Sequence, residues 1–264
     1  MPEWFDVFIL ALIEGITEFL PISSTGHMLL ASNWLAHKPS ELFLAVVQCG
    51  AVLAVLLVFT DRVKQMLLHW REPQNQQYLA KLAVAFVMTA IGGLVLKKLH
   101  FTLPKDPVPI ALATLIGGVL IIAIEMALRG KKLRETVTWP VAIAIGIAQL
   151  LAVIFPGASR SGTTIMMAMA FGIARSPATE FSFLLGIPTL LAAGANEILS
   201  AVRHPEVSEP PHWGMIAFGT IVAAVTAFIA VKWLLRYVQS HTFNPFGWYR
   251  IALGVVILAL TYHH

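Results

Sequence analysis

Residues 14–27 read EGITEFLPISSTGH, and they interrupt an apolar region that extends from about residue 5 to residue 37. Pro21 ends a helix because it lacks an N–H donor and clashes with the preceding turn. The Ser/Thr cluster after it can cap a new helix. Within a bilayer, such a break is tolerated only where protein or a water-filled cavity covers the freed backbone groups. The stretch therefore predicts two half-length helices that meet at a polar turn.

The rest of the chain indicates a membrane protein. Of its 264 residues, 58% are hydrophobic and only 12% are charged, whereas a soluble domain carries about 25% charged residues. Six runs reach the roughly 20 residues that a spanning helix needs, namely 41–59, 79–97, 108–128, 180–200, 214–236 and 246–262. We predict an all-α polytopic membrane protein, with about six full spans and two re-entrant helical hairpins, in one domain covering residues 1–264. The N-terminus lacks the basic segment and cleavage site of a signal peptide, so we expect it to be mature protein.

A second broken region, about residues 139–173, resembles the first. Gln149 lies seven residues before Pro156, as Glu14 lies seven before Pro21, and a small polar cluster follows each proline. We interpret this as a repeat, with copies at about 5–97 and 139–236. Because three spans separate the two hairpins, they would enter from opposite faces and meet near the midplane, as in inverted-topology repeats.

Basic residues favour one orientation of this arrangement. Nine of them fall on one side: Arg62, Lys64, Arg71, Arg129, Lys131, Lys132, Arg134, Arg175 and Arg236. Five fall on the other: Lys38, Lys97, Lys98, Lys105 and Arg203. By the positive-inside rule, the first side is cytoplasmic. Basic clusters in short loops indicate topology and contact with lipid headgroups, so we expect no nucleic-acid partner.

Two carboxylates precede the first break. Glu14 and Glu18 are spaced i, i+4, on one face of a short helix. Like charges this close need a shared proton or a cation between them, which suggests a metal site or an acid/base pair. The alternative is that the helix lies near the interface and both side chains are hydrated. We favour a functional site, because ionisable residues within membrane segments usually have a function.

The turn after Pro21 is suited to an anion. Hydroxyls of Ser23, Ser24 and Thr25 supply donors, Gly26 permits close approach, and the following helix N-terminus presents free N–H groups. His27 then lies in the first turn of that helix, where it could act as an acid/base or as a nucleophile toward phosphorus. A lone histidine is more often structural, but the neighbouring carboxylates favour catalysis.

The second turn reads PGASRSGTT over residues 156–164 and adds an arginine. A guanidinium between apolar stretches needs an anionic partner, and its planar fork matches a phosphate or a carboxylate. Arg160 could therefore bind an anionic ligand, or form a structural pair with Glu14 or Glu18. The surrounding Ser159, Ser161 and Thr164 hydroxyls favour the ligand.

These motifs resemble the two signatures of the undecaprenyl-pyrophosphate phosphatase family, the bacitracin-resistance proteins. The resemblance rests on EGITEFLPISSTGH at 14–27, PGASRSGTT at 156–164 and RSPATEFSFLLGIP at 175–188, and length and span order match over the whole chain. It implies a bacterial inner-membrane enzyme that hydrolyses undecaprenyl pyrophosphate to undecaprenyl phosphate, the lipid carrier for peptidoglycan synthesis, and thereby confers bacitracin resistance.

The resemblance also implies roles for individual residues. Catalytic positions fall on Glu14, Glu18, Ser24 and His27, and Glu14 with Glu18 would hold a divalent cation, magnesium or calcium. The substrate would contact Arg160 and a set of small residues: Ser23, Thr25, Gly26, Ser159, Ser161, Gly162 and Thr164. The nucleophile is left open between His27, Ser24 and a water molecule. The implied partners are a polyprenyl pyrophosphate and membrane lipid, with a homodimer as a further expectation.

A different class of function fits the same pattern. Inverted repeats with broken helices are also the plan of secondary transporters. In that case the two carboxylates would bind an ion, Arg160 would bind an anionic solute, and nothing would be hydrolysed; a lipid flippase belongs to the same alternative. We favour the enzyme, because a transport site has less need of His27.

Overall fold

The described part of the chain is entirely α-helical in its regular structure. This computed structural model describes residues 3–35, 40–101, 106–203 and 212–263, so Lys38 and Lys105, both used above for orientation, lie outside it. The described residues form eleven helices: α1 Glu3–Thr17, α2 Ser24–Ser32, α3 Glu41–Val58, α4 Thr60–Leu68, α5 Pro73–Lys98, α6 Pro107–Leu128, α7 Trp139–Ile154, α8 Arg160–Ala170, α9 Arg175–Arg203, α10 Trp213–Ser240 and α11 Asn244–His263.

Six of these helices are long and apolar enough to cross a membrane: α3, α5, α6, α9, α10 and α11. The prediction of an all-α polytopic membrane protein with six spans is therefore confirmed. Two spans begin earlier than predicted, α5 at Pro73 and α9 at Arg175, because the helix continues through polar residues beyond the apolar run. The predicted polar connection 60–78 also contains a short helix, α4, whose Met66 is buried. The polar residues of this segment predicted its exposure to water, but polar residues can also form a helix.

The two broken regions each form a pair of short helices. Helix α1 has 15 residues and α7 has 16, so at 1.5 Å per residue each is about 22–24 Å long. That is less than the roughly 30 Å of a hydrocarbon core. Their partners α2 and α8 are shorter still, with 9 and 11 residues. The breaks lie where the sequence predicts them, whereas re-entry from opposite faces stays a prediction.

The two turns share an unusual backbone conformation. Ser23 and Ser159, the N-cap residues of α2 and α8, have φ values of 73° and 68°. Residues with a Cβ rarely adopt positive φ, and the conformation costs about 1–3 kcal/mol unless its surroundings enforce it. In both turns the serine Oγ accepts a hydrogen bond from the backbone N–H three residues later, that of Gly26 or Gly162. The two breaks thus share a positive φ at the N-cap and the same capping hydrogen bond.

Helices of the two predicted repeats pack against each other. Helix α1 lies on α10 and α7 lies on α5, whereas α6 and α11, which lie outside the repeats, pair with each other. The first contact is very close at Gly15, where an added Cβ would lie 2.0 Å from Thr226 Oγ1 and 2.5 Å from the Ala223 carbonyl oxygen. This packing places the end of α1, and with it both glutamates, against the bundle rather than against lipid.

We expect Gly15→Ala to destabilise the fold. Because the added methyl group would overlap backbone atoms of α10, the two helices must separate, and overpacking of this kind costs about 1–3 kcal/mol. The measurement is the melting temperature of the detergent-solubilised protein. The matched control is Gly93→Ala in α5, where a Cβ would meet nothing within 4 Å and stability should hold or rise slightly. Equal melting temperatures for the two variants would contradict the packing argument.

Candidate functional site

The two turns meet within the helix bundle, where hydroxyl groups connect them. Ser161 Oγ donates to the Leu20 carbonyl at 3.0 Å. Thr114 Oγ1, on α6, lies 3.3 Å from Ser23 Oγ and 3.2 Å from the Gly157 carbonyl oxygen. The sequence-predicted site residues of both motifs are therefore brought to one place by the fold.

Glu18 is the centre of the polar contacts between the turns. Its Oε2 accepts a hydrogen bond from Ser24 Oγ at 3.0 Å, and its Oε1 accepts one from Arg160 Nη2 at 3.1 Å. The Glu18 and Arg160 side chains are only 6% and 12% exposed, and the guanidinium lies 4.9 Å from the centre of the Phe19 ring. The carboxylate of Glu18 thus contacts an arginine through one oxygen and accepts a hydrogen bond from a serine hydroxyl through the other.

Arg160 thus forms the pair with a glutamate that was one of its two predicted roles. The ion pair leaves part of the guanidinium available: among the described residues, Arg160 Nε is buried without a hydrogen-bond partner. Gly186 of α9 makes room for the group, because a Cβ there would lie 2.3 Å from Nη1. The role of Arg160 in anion binding stays a prediction, and the free donor is compatible with it.

Glu14 is more deeply buried than Glu18, with 1% of its surface exposed. Its carboxylate lies near the Gln48 and Glu18 side chains. Its Oε1 atom accepts no hydrogen bond within the described part of the protein. The structure therefore does not favour the alternative in which both glutamates are hydrated at an interface.

A divalent cation fits this pair of carboxylates if the substrate supplies further ligands. The described residues contain no group of three or more His, Cys, Asp or Glu side chains that could hold a metal ion by themselves. Magnesium, however, is commonly bound by one or two carboxylates together with water and substrate phosphates. The unpartnered Glu14 Oε1 beside Glu18 supplies such a donor set. The residues present fit a cation that is completed by substrate rather than a resident protein-bound one.

His27 lies at the edge of this cluster and faces another helix. Its Nδ1 is 2.7 Å from the Ser23 carbonyl oxygen, and its Nε2 is 2.6 Å from Tyr249 Oη on α11. Within the described ranges, both ring nitrogens are thus engaged away from Glu14, Glu18 and Arg160. The predicted catalytic role of His27 stays a prediction, and its two ring nitrogens bond to Ser23 and Tyr249 rather than to a carboxylate.

Several small residues predicted to contact the substrate form hydrogen bonds with other protein groups instead. Ser161 and Thr164 are fully buried, and Thr164 Oγ1 hydrogen-bonds Ser182 Oγ at 2.6 Å. Ser159 Oγ lies 3.2 Å from Ser161 Oγ. Direct contact of these hydroxyls with a ligand would require them to exchange existing hydrogen bonds. Of the predicted set, Thr25 is exposed and free to meet a ligand without such an exchange.

Arg250 is the most buried arginine near the turns, and the sequence analysis did not single it out. Only 1% exposed, it donates from Nη1 to the Pro21 carbonyl at 3.3 Å and from Nη2 to the Gly157 carbonyl at 3.1 Å. It also donates to the carbonyls of Ala113 and Thr114 on α6. The signal was available, because a charged residue within the apolar run 246–262 satisfies the rule that identified Arg160.

We call the contact between the turns that follow Pro21 and Pro156 the junction. The fold and this junction define a multi-pass membrane protein whose polar centre combines two carboxylates, a serine and an arginine. Comparison with known proteins agrees: residues 7–256 match the family described as bacitracin resistance protein BacA. The chain belongs to that family.

Three of its curated relatives carry the same name. A protein named undecaprenyl-diphosphatase from Rhizobium etli (strain CIAT 652) is 49% identical, over 98% of this chain and 97% of the relative. Proteins of the same name from Xylella fastidiosa (strain 9a5c) and Xanthomonas oryzae pv. oryzae (strain PXO99A) are 45% and 42% identical. These cover 98% of this chain and 98% and 97% of the respective relatives.

We expect Arg250→Met to destabilise the junction. The Pro21 carbonyl, which lies outside the helices, would lose this donor, whereas the Gly157 carbonyl would keep Thr114 Oγ1. An unsatisfied buried polar group costs about 1–3 kcal/mol. The melting temperature should fall well below that of the control Arg236→Met, whose residue is exposed on α10. Arg250→Lys should have a melting temperature close to that of Arg250→Met, because one ammonium group cannot span both turns. Melting temperatures equal to the control would show that Arg250 does not hold the turns together.

Proposed function

We propose that this protein hydrolyses undecaprenyl pyrophosphate to undecaprenyl phosphate and inorganic phosphate. The observation that carries the proposal is the partly buried Ser24–Glu18–Arg160 contact, within a chain of the bacitracin resistance family. The reaction recycles the lipid carrier for peptidoglycan synthesis in the bacterial inner membrane, and it confers bacitracin resistance by removing the pyrophosphate form. The names of the curated relatives favour this hydrolase over the transporter or flippase.

The geometry supports Ser24 as the nucleophile. Its hydroxyl already donates to Glu18 Oε2, so Glu18 can take the proton as Oγ attacks the terminal phosphorus. A bond from Ser24 Oγ to phosphorus forms, the bridging P–O bond breaks, and undecaprenyl phosphate leaves with that oxygen. Water then hydrolyses the phosphoserine and releases inorganic phosphate. This assignment is favoured over His27, both of whose ring nitrogens are engaged elsewhere.

Charge stabilisation comes from the second turn and from the helix ends. Arg160 would share its guanidinium between Glu18 and the terminal phosphate, using the buried Nε that has no partner among the described residues. The first N–H groups of α2 point toward the same turn and favour negative charge there. Glu14 and Glu18 would hold the divalent cation, which when bound neutralises charge on the pyrophosphate. Preorganised donors of this kind supply much of the rate enhancement in phosphoryl transfer.

The lipid part of the substrate needs no dedicated pocket in this scheme. An apolar groove of about 360 Å³ between α1 and α2 begins beside His27, is lined by Ile13 and Leu30 among others, and continues to Trp34. The prenyl chain would leave the site along such an apolar surface and stay in lipid. A homodimer also stays a prediction, to be checked by the mass of the detergent-solubilised protein.

We expect Ser24→Ala to lower kcat for phosphate release from undecaprenyl pyrophosphate by at least about 1,000-fold, because removing a nucleophile leaves only binding and charge stabilisation. The control is Ser32→Ala on the same helix, whose hydroxyl donates to the Leu29 carbonyl. Substrate labelled in its terminal phosphate should leave acid-quenched label on Ser24. Label on His27, or full activity of Ser24→Ala, would contradict the assignment.

We expect Glu14→Gln to raise the magnesium or calcium concentration needed for half-maximal activity by about tenfold or more. A neutral amide replaces the carboxylate whose Oε1 lacks a partner in the described structure, while shape and burial are kept. A titration of cation against phosphate release after chelation measures this. Glu197→Gln, at a half-buried residue near the far end of α9, serves as control. If wild-type activity survives exhaustive chelation, the cation does not take part.

A further inference from the structure

The hydrogen bonds of His27 fix the positions of its protons. The Ser23 carbonyl oxygen, 2.7 Å from Nδ1, can only accept, so Nδ1 carries a proton. In a neutral imidazole, Nε2 then holds the lone pair. Tyr249 Oη lies 2.6 Å from Nε2 and must therefore donate its proton to that nitrogen. The two contacts together specify one tautomer and account for both ring nitrogens.

Tyr249 is placed firmly for this role. Its ring is nearly parallel to that of His27, with an angle of 9° and centroids 5.6 Å apart. The next residue, Arg250, anchors α11 to the carbonyls of both turns. Because the anchor and the tyrosine are adjacent in the chain, the Tyr249 hydroxyl is held in register with the first turn.

The effect of the contact extends from His27 to Ser24. The Ser23 carbonyl that accepts from His27 belongs to the residue with φ of 73°. Ser24 follows that residue directly and directs its hydroxyl at Glu18. A ring that is held from the Tyr249 side therefore supports the strained backbone that aims Ser24.

We propose that Tyr249 is a positioning residue of this enzyme: its hydroxyl holds His27 as the Nδ1-protonated tautomer, and His27 in turn holds the Ser23 backbone that directs Ser24 at Glu18. The inference rests on the proposed hydrolase function. It gives His27 a supporting task, since the nitrogen that could attack phosphorus is covered by Tyr249. Neither Tyr249 nor its contact with His27 was predicted from the sequence.

The first test is Tyr249→Phe, which keeps the ring and removes the hydroxyl. We expect kcat for phosphate release from undecaprenyl pyrophosphate to fall about tenfold, as when a group that orients a ligand or base is lost, while KM changes less than twofold. The matched control is Tyr262→Phe on the same helix, whose residue is 78% exposed; its kinetics should equal those of the wild type. An increase in KM with unchanged kcat, or no change in either, would overturn the proposal.

The second test does not depend on turnover. Nitrogen NMR of ¹⁵N-histidine protein, with the His27 signals assigned by their loss in His27→Gln, reports the tautomer directly. Wild-type His27 should be protonated at Nδ1, and in Tyr249→Phe its Nε2 signal should move toward that of a free lone pair. A proton on Nε2 in the wild type, or no shift in the variant, would refute the Tyr249 contact. If the wild type releases no phosphate, the proposed function fails, and the spectra still decide the contact.

Discussion

The structure depends on satisfying the backbone where two helices are broken inside a membrane domain. Lipid offers no hydrogen bonds, so each freed carbonyl must find a donor in the protein. Arg250 supplies donors to the Pro21 and Gly157 carbonyls, and Ser161 supplies one to Leu20. Because each donor reaches across from another element, meeting the needs of the turns also fixes them to one another.

The positions of the reactive groups follow from that junction. Burying a guanidinium costs several kcal/mol unless its environment compensates. Arg160 has Glu18 as its counter-ion, whereas Arg250 has carbonyl partners on four residues. Because Arg250 has no carboxylate partner in the described part of the protein, its positive charge adds to a field that favours an anion between the turns. A pyrophosphate, with its concentrated negative charge, suits that field better than a neutral solute does.

Sequence reasoning predicted what depends on local pattern. Hydropathy and length gave the six spans, and proline with small polar residues gave the two breaks. The rule that charges within membrane segments need partners identified Glu18 and Arg160, but which partner each one takes depends on packing between distant helices. The contact between His27 and Tyr249 joins residues 222 positions apart. No periodicity in either helix indicates that contact. Arg250 satisfies the same rule, although it lies outside both motifs.

The two halves of the junction differ in charge, because the residue seven positions before the proline has a different packing role in each half. Gln149 occupies the position, seven residues before the proline, that Glu14 occupies in the first half. Its Nε2 donates to Thr89 Oγ1 at 2.8 Å, and Thr89 lies 2.9 Å from the Gly146 carbonyl, so this side chain joins α7 to α5. An amide can do this without charge, whereas a carboxylate would bury a charge that needs a partner of its own. The second half thus uses the position for helix packing, and only the first keeps a carboxylate free for chemistry.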